Sequence, residues 1–483
     1  MTPSPSTRDR TVIVGGGPAG LTAAYEAQRA GMEALVLEAT STVGGISQTA
    51  TYQGYRFDIG GHRFFTKVRE VEAMWKEVLG ARFLRVKRLS RIHYRGRFFQ
   101  YPLRPMNALR NLGVFTSAAC VASCLWARCF PRRPERDFET WVSNRFGRRL
   151  FRIFFKTYTE KVWGIPCAQI QAEWAAQRIK GLSLGKAIFD ALFRPRKKET
   201  SLIEEFDYPE LGPGQMWEAV RDAVVAAGGE VRLETRVEEW RHDGRRVTSV
   251  LARAPEGMRE FAGDHFLSSV PVRELIQGMR PRPPDAVLAA AERLRYRDFL
   301  VVCLIVDDEN LFPDNWIYIH APEVKVGRIQ NFKNWSARMV PDPKRTCLGM
   351  EYFCFEGDAL WTEKDARLVA LAREEIGRLG LADPAKVVDG TVVRMPKAYP
   401  VYDEGYREAL DTMRQWLARF ENLQLVGRNG LHRYNNQDHS MLTAMLAIRN
   451  VRGERHDLWE VNTEQEYHEE GAARNRLAPE RVR

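Results

Sequence analysis

The 483-residue chain lacks the features that several large classes of protein require. Its seven cysteines, Cys120, Cys124, Cys129, Cys167, Cys303, Cys347 and Cys354, are odd in number and form no CxxC pair. That excludes a disulfide framework and a structural zinc site, and fits a reducing, cytoplasmic setting. No metal site is expected. The N-terminal MTPSPSTRDR has no apolar core of the kind a secretory signal needs. The longest uncharged run, NLGVFTSAACVASCLWA between Arg110 and Arg128, is 17 residues rich in small and polar types. At the lower limit for a bilayer span, it predicts a packed helix and no transmembrane segment. Because arginines stand at both ends (Arg110, Arg128, Arg132, Arg133), a second reading of this run is an interfacial helix in peripheral contact with anionic lipid. There is no internal repeat, no long linker, and no Ser/His/Asp or Cys/His constellation that would supply a protein nucleophile.

What is present is an ordinary globular composition, 44% hydrophobic and 28% charged, long enough for two or three domains. Lys and Arg exceed Asp and Glu by 11, which favours anionic partners without choosing among them. No nucleic-acid-binding module is recognisable, so nucleic acid is not an expected partner.

The strongest motif lies between Thr11 and Glu38. A β-branched run TVIV leads into GGGPAG, an apolar-periodic helix follows, and the strand ALVLE ends at an acid. Gly15-x-Gly17-x-x-Gly20 at the strand-to-helix turn, with Glu38 at the right distance, is a dinucleotide-binding βαβ unit. Gly15 permits the turn, Gly17 lets backbone approach a pyrophosphate, and Gly20 allows helix to pack on strand. The helix N-terminus offers free N–H groups to phosphates, and Glu38 can accept ribose hydroxyls. Two glycine pairs follow, Gly44-Gly45 and Gly60-Gly61, the second just before His62.

This order of GxGxxG, acid, GG pair and GG-His segment resembles the FAD domain shared by amine oxidases and protoporphyrinogen oxidase. The resemblance implies that FAD fills the Rossmann site. It also implies an α/β fold in which a Rossmann-type FAD-binding domain is assembled from separated segments. Those segments are 11–70, 215–271 and 391–453. A mainly helical insertion occupies 71–214, a β-rich substrate-side insertion 272–390, and a charged tail 454–483. GGEVRLETRVEEW resembles the strand that meets the adenine through its backbone, at Val237. DHFLSSVP resembles the next strand, NLQLVGRNG a strand running into a glycine turn, and HSMLTAMLAIRN reads as a helix.

Four further segments resemble the UDP-galactopyranose mutases. Tyr158-Thr-Glu-Lys-Val-Trp163 is followed fifteen residues later by Arg178; VGRIQNFKNWS carries Arg328; KAYPVYDEGY carries Tyr399; GRNGLHRYNNQDHS carries Gly427, Arg428, Tyr434 and Asn436-Gln437-Asp438. By that resemblance Tyr158 and Trp163 border the nucleotide and sugar, Arg178 and Arg328 bind the pyrophosphate, and Tyr399 and Tyr434 hydrogen-bond the phosphates. Arg428, Asn436, Gln437 and Asp438 lie by the flavin, and His62 packs beside it in a cofactor role. The residue types agree, since two arginines can grip a diphosphate and tyrosine hydroxyls can surround it. On their chemistry alone, however, Tyr158 and Trp163 would serve a core equally well, and Arg178 and Arg328 an ion pair.

The implied activity is a FAD-dependent mutase, active with reduced flavin, that interconverts pyranose and furanose forms of a UDP-hexose through a flavin N5–sugar adduct. Arg178, Arg328 and His62 form its catalytic surroundings. Implied partners are a nucleoside-diphosphate sugar and a flavin reductant such as NAD(P)H or a reductase, with the chain a monomer or homodimer. The product would enter cell-surface glycan or secondary metabolism. The alternative keeps the flavin and makes the protein an oxidase, dehydrogenase or desaturase.

Overall fold

The computed structural model describes residues 9–101, 103, 105–172 and 205–462. Its first element is the strand β1 (Arg10–Val14), whose Val12 and Ile13 are wholly buried. β1 runs parallel to β2 (Glu33–Leu37) on one side, with Val12 opposite Leu35, and to the strand His265–Ser268 on the other, with Val12 opposite Phe266. Leu423–Leu425 and Glu230–Arg232 complete a five-stranded parallel sheet. Parallel strands are stable when both faces are covered, and the period of two along β1 divides its side chains between two cores. Ile13 joins Val36, Ala23, Met441 and Trp217 under α1 (Pro18–Arg29) and the helices Gly214–Ala226 and Gln437–Val451. Val12 and Val14 join Leu35, Trp240 and Trp416 on the opposite face, which a four-stranded sheet and the helix Tyr406–Leu417 cover.

A second, seven-stranded mixed sheet forms the other half of the molecule. Its centre is Tyr296–Val306, every residue of which is buried, paired antiparallel with Thr346–Cys354 and Val387–Pro400. The sequence boundary at 390/391 thus falls inside a strand of this sheet. Arg328–Asn331 and Trp316–Ile319 extend it. Its far edge comes from within 71–214: Ser90–Tyr94 and Arg97–Gln100 form a hairpin that pairs with Trp316–Ile319. A turn at Gly96, with φ +70°, lets SRIHY and RFFQ fold back on each other inside a region otherwise read as helical.

FETWVSNRFGRRLFRIFFKTYTEKVWG does form helix: Phe138–Phe146, a π-helical stretch Phe151–Lys156, and Thr157–Trp163. Asp137 caps the first of these, accepting a hydrogen bond from the Thr140 amide at 2.7 Å. The uncharged run beyond Arg110 corrects the expectation of a packed helix. It is helical over Val114–Cys129, yet only Ser117, Cys120 and Cys124 are buried, while Phe115 is 92% and Trp126 68% exposed. Apolar composition predicted burial, but the face turned inward is the one with small side chains. Among the described residues, no helix is long and apolar enough to cross a membrane.

One buried carboxyl generates a testable pH dependence. Asp58 is fully buried and accepts a 2.6 Å hydrogen bond from the Tyr208 hydroxyl. Burial pushes its pKa up to about 8 despite the hydrogen bonds from Tyr208 and Thr49. The folded state therefore holds a proton that the unfolded chain releases near pH 4, and stability from this group is lost as pH rises from about 4 through about 8. Thermal melts of the wild type between pH 5 and 8 are expected to fall more steeply than those of Asp58→Asn, which carries no titrating proton.

Candidate functional site

A cavity of about 530 Å³ opens where the parallel sheet ends and the mixed sheet begins. β1 stops at Val14, the chain turns at Gly15 (φ +103°), and α1 begins at Pro18 with Gly17 as N-cap and no side chain capping its first turn. Proline is favourable at this position because its missing amide would have no helical partner. The glycines have different reasons to be there. A Cβ on Gly20 would stand 1.8 Å from the Gly15 carbonyl oxygen, so helix packing itself excludes one. A Cβ on Gly17 would come no closer than 3.8 Å to the Gly45 Cα, so nothing in the protein excludes it. Glycine at 17 leaves the backbone open to close approach from the cavity, as a dinucleotide-binding turn requires.

Glu38, at the end of β2, is 8% exposed and lines the same cavity. One carboxylate oxygen accepts from the Gly16 amide at 2.6 Å, and the other from the Thr40 amide and hydroxyl at 2.8 and 2.7 Å. A carboxylate has lone pairs to spare beyond these three bonds, so Glu38 is fixed in place with acceptor capacity left over.

A second helix N-terminus meets the cavity from the other end of the chain. Asn436 is the N-cap of Gln437–Val451, again without a side-chain cap, and Asn436, Gln437 and Asp438 line the wall. Gln437 Oε1 accepts from Trp217 Nε1 at 3.2 Å; its Nε2 is buried with no hydrogen-bond partner among the described residues. A buried orphan donor is costly unless something else satisfies it. Two uncapped helix N-termini, a fixed carboxylate, an orphan amide and a glycine cradle together suit an elongated, phosphate-bearing dinucleotide.

His62 sits between these walls with Nε2 2.9 Å from the Ile59 carbonyl. Burial pushes its pKa down to about 4, so the ring is neutral at physiological pH and Nε2 donates to Ile59. That agrees with packing beside a cofactor and gives no support to acid/base work near neutrality.

Across the cavity stands a group of arginines and tyrosines. Arg328 is locked by Glu351: Nε lies 2.9 Å from both carboxylate oxygens and Nη2 2.6 Å from one of them. Glu351 is wholly buried and also accepts from Gln330. Burial alone would lower the Arg328 pKa, but the charge and hydrogen bonds of Glu351, together with Tyr158 and Tyr399, raise it well above its usual value and hold the guanidinium charged. Arg428 differs. It donates to the carbonyls of Asn435 (2.8 Å) and Ala398 (2.9 Å) and pairs with no carboxylate among the described residues. Its guanidinium carbon lies 4.7 Å from the centre of the Tyr434 ring and 5.4 Å from that of Tyr399, and the two rings stack at 5.5 Å. Of these two arginines it is Arg428 that presents its charge to the cavity, since that of Arg328 is already neutralised.

The remaining sequence candidates fall in different places. Tyr158 is half-buried beside this group, stacked on His320 at 4.9 Å and packed edge-on against Tyr318. Trp163 is 4% exposed, lies between Tyr399 and Tyr402, and does not line the cavity. Gly44 is adjacent, with its amide on the Gly16 carbonyl, and Gly45, Gly61 and Gly427 form parts of the wall. Val237 is not in the wall: it belongs to the antiparallel strand Arg236–His242, where it packs on the core beneath the parallel sheet. Arg178 lies outside the described residues.

Sequence reasoning missed Glu351, His320 and Lys161. An acid within the nine-residue buried strand TCLGMEYFC was a signal, because such an acid needs a partner. Lys161 donates to the carbonyls of Ala321 (2.6 Å), Val326 (3.2 Å) and Ile319 (3.4 Å), tying the Thr157–Trp163 helix to the mixed sheet. Burial lowers its pKa to about 8.

These strands and helices define a fold of the FAD-dependent oxidoreductase type, headed by a Rossmann-like domain. Residues 13–78 match the family described as NAD(P)-binding Rossmann-like domain. Over nearly its whole length the chain is similar to the structure of reduced UDP-galactopyranose mutase, with a TM-score of 0.82 at 21% identity over 94% of this chain and 98% of the other. It is similar to an engineered putrescine oxidase with a TM-score of 0.61, at 14% identity over 92% and 99%. In sequence it is 43% identical over 56 residues to a "Probable flavin-containing monoamine oxidase A" of Dictyostelium discoideum, which is 12% of each chain. The match thus spans about an eighth of that relative's length.

The Arg328–Glu351 pair can be tested by itself. Arg328→Ala leaves a buried carboxylate without its counter-charge, which costs about 3 kcal/mol or more. In urea titrations Arg328→Ala is expected to be clearly less stable than the double variant Arg328→Ala/Glu351→Gln, in which no charge remains. Equal losses in the two would mean that Glu351 is not held by Arg328.

Proposed function

We propose that the protein is a flavin-dependent enzyme whose cavity binds FAD and, across it, a nucleoside-diphosphate sugar that it interconverts between ring forms. The observation that carries this reading is the cluster of Arg428, Arg328, Tyr399 and Tyr434 on the wall facing the dinucleotide cradle. A cation with no carboxylate partner among the described residues, flanked by tyrosines, suits a diphosphate better than an amine or an apolar substrate. The near full-length likeness to UDP-galactopyranose mutase supports it further.

In this reading Gly15 and Gly17, the start of α1 and Glu38 hold the adenosine diphosphate part of FAD. The Gln437–Val451 N-terminus, Gln437 Nε2 and His62 hold the flavin end. When bound and reduced, FAD supplies the nucleophilic chemistry for which no protein triad is evident in the sequence. The protein's own part is to position and to neutralise. Arg428 balances the diphosphate charge, the free edge of Arg328 and the hydroxyls of Tyr399 and Tyr434 orient it, and Arg178 is a proposed further contact. Tyr158, whose pKa burial raises well above its usual value, stays a neutral hydrogen-bonding group.

The local match to an amine oxidase supports a second reading, a net redox reaction on the same flavin. Titrating the reduced and oxidised holoprotein with UDP-sugars while following flavin fluorescence, then separating products, distinguishes the two. Saturable binding with a new isomer only under reduction is expected. Arg178→Ala and Tyr434→Phe are expected to weaken nucleotide-sugar binding by about tenfold each. Unchanged affinity in both, or flavin reduction by an amine, would favour the redox reading.

The flavin site has its own test. Gly17→Ala should fold with normal stability but purify with little bound flavin. Gly20→Ala should be destabilised whether or not flavin is present, because its Cβ has no room. Normal flavin content in Gly17→Ala would place the dinucleotide elsewhere.

A further inference from the structure

The helix Val114–Cys129 is amphipathic with its sides exchanged. Ser117, Cys120 and Cys124, on one stripe, face the protein. Contact on that side is so close that a Cβ on Gly147 would meet the Cys124 amide at 2.6 Å. The opposite stripe exposes Val114 (81%), Phe115 (92%), Leu125 (57%) and Trp126 (68%), and Phe130 (62%) stacks beside Trp126 at 4.6 Å. Large apolar side chains are rarely set outward together on a monomeric surface unless something covers them.

Charge indicates what covers this face. Between residues 78 and 134 the chain has eleven arginines and Lys87 and not one Asp or Glu. These twelve positive charges exceed the surplus of the entire chain, 11; outside the segment 61 basic residues stand against 62 acidic ones. Arg110, Arg128, Arg132 and Arg133 are exposed at the two ends of the helix. A second copy of the chain would bring the same positive charges against themselves, and a basic protein partner would be repelled too. An apolar face bordered by arginine and free of acid is the composition of a helix that lies in the interface of an anionic bilayer. At 16 residues the helix is about 24 Å long, too short to cross the hydrocarbon core and long enough to lie along it.

We propose that Val114–Cys129 docks the protein on an anionic lipid surface, with Phe115, Leu125 and Trp126 entering the headgroup boundary and the flanking arginines on lipid phosphates. Flotation of the full chain with vesicles of phosphatidylcholine, alone or with about 30% phosphatidylglycerol, tests this. The chain is expected to float with the anionic vesicles only, and to be released by salt. Phe115→Ser/Leu125→Ser/Trp126→Ser and, separately, Arg128→Glu/Arg132→Glu/Arg133→Glu are each expected to weaken binding by about tenfold or more, with melting temperatures near the wild type. Failure of the wild type to float, or flotation that both triple variants retain, would overturn the proposal. A dimer that the three serine substitutions dissolve, without vesicle binding, would assign the face to a second copy instead.

Discussion

Everything around the cavity depends on how closely α1 lies against the strand that precedes it. Gly20 leaves no space for even a methyl group before the Gly15 carbonyl, and this contact sets the helix axis, the position of its first turn and the opening between Gly17 and Gly45. Ile13 and Val36 below and Ala23 and Ala27 above are all small or β-branched and wholly buried, so the layer they form resists adjustment. A sheet that is rigid at this point presents backbone amides, which carry no rotamer freedom, to the cavity.

The opposite wall works by charge. Glu351 is placed by a strand with no exposed residue, and a carboxylate there can be tolerated only beside a cation. Arg328 is thereby fixed in orientation but largely cancelled as a charge. Arg428, held by carbonyls and flanked by two aromatic faces, keeps its charge. One arginine is a fixed strut and the other is left without a carboxylate partner among the described residues, a difference that residue type alone does not reveal.

That division also marks what could be read from the sequence. The βαβ unit, the strands Tyr296–Val306 and Thr346–Cys354 and the helix Gln437–Val451 were legible because each is specified by its own run of residues. The convergence of the 15–20, 60–62 and 427–438 segments was legible only through family resemblance, since nothing local relates them. The Arg328–Glu351 pair was not legible, because the partners lie 23 residues apart on neighbouring strands whose register is a property of the whole sheet. Nor does the sequence show that GGEVRLETRVEEW is two strands, Glu230–Arg232 and Arg236–His242 with Val237 on the second, and that they belong to different sheets. The Val114–Cys129 helix was identified as a helix but expected in the first place to be packed, since composition says how much apolar surface exists and not which way it faces.

The inward face of that helix has a consequence for dynamics. Ser117, Cys120 and Cys124 offer little apolar area to the rest of the fold, far less than the leucines, valines and aromatics that anchor the other helices. An element held by so little has a low free energy of local opening, and its amides exchange with solvent well before those of α1 or Gln437–Val451. Whatever covers the outer face then contributes order as well as location, so that the amide protection of this one helix reports on the state of the surface it meets.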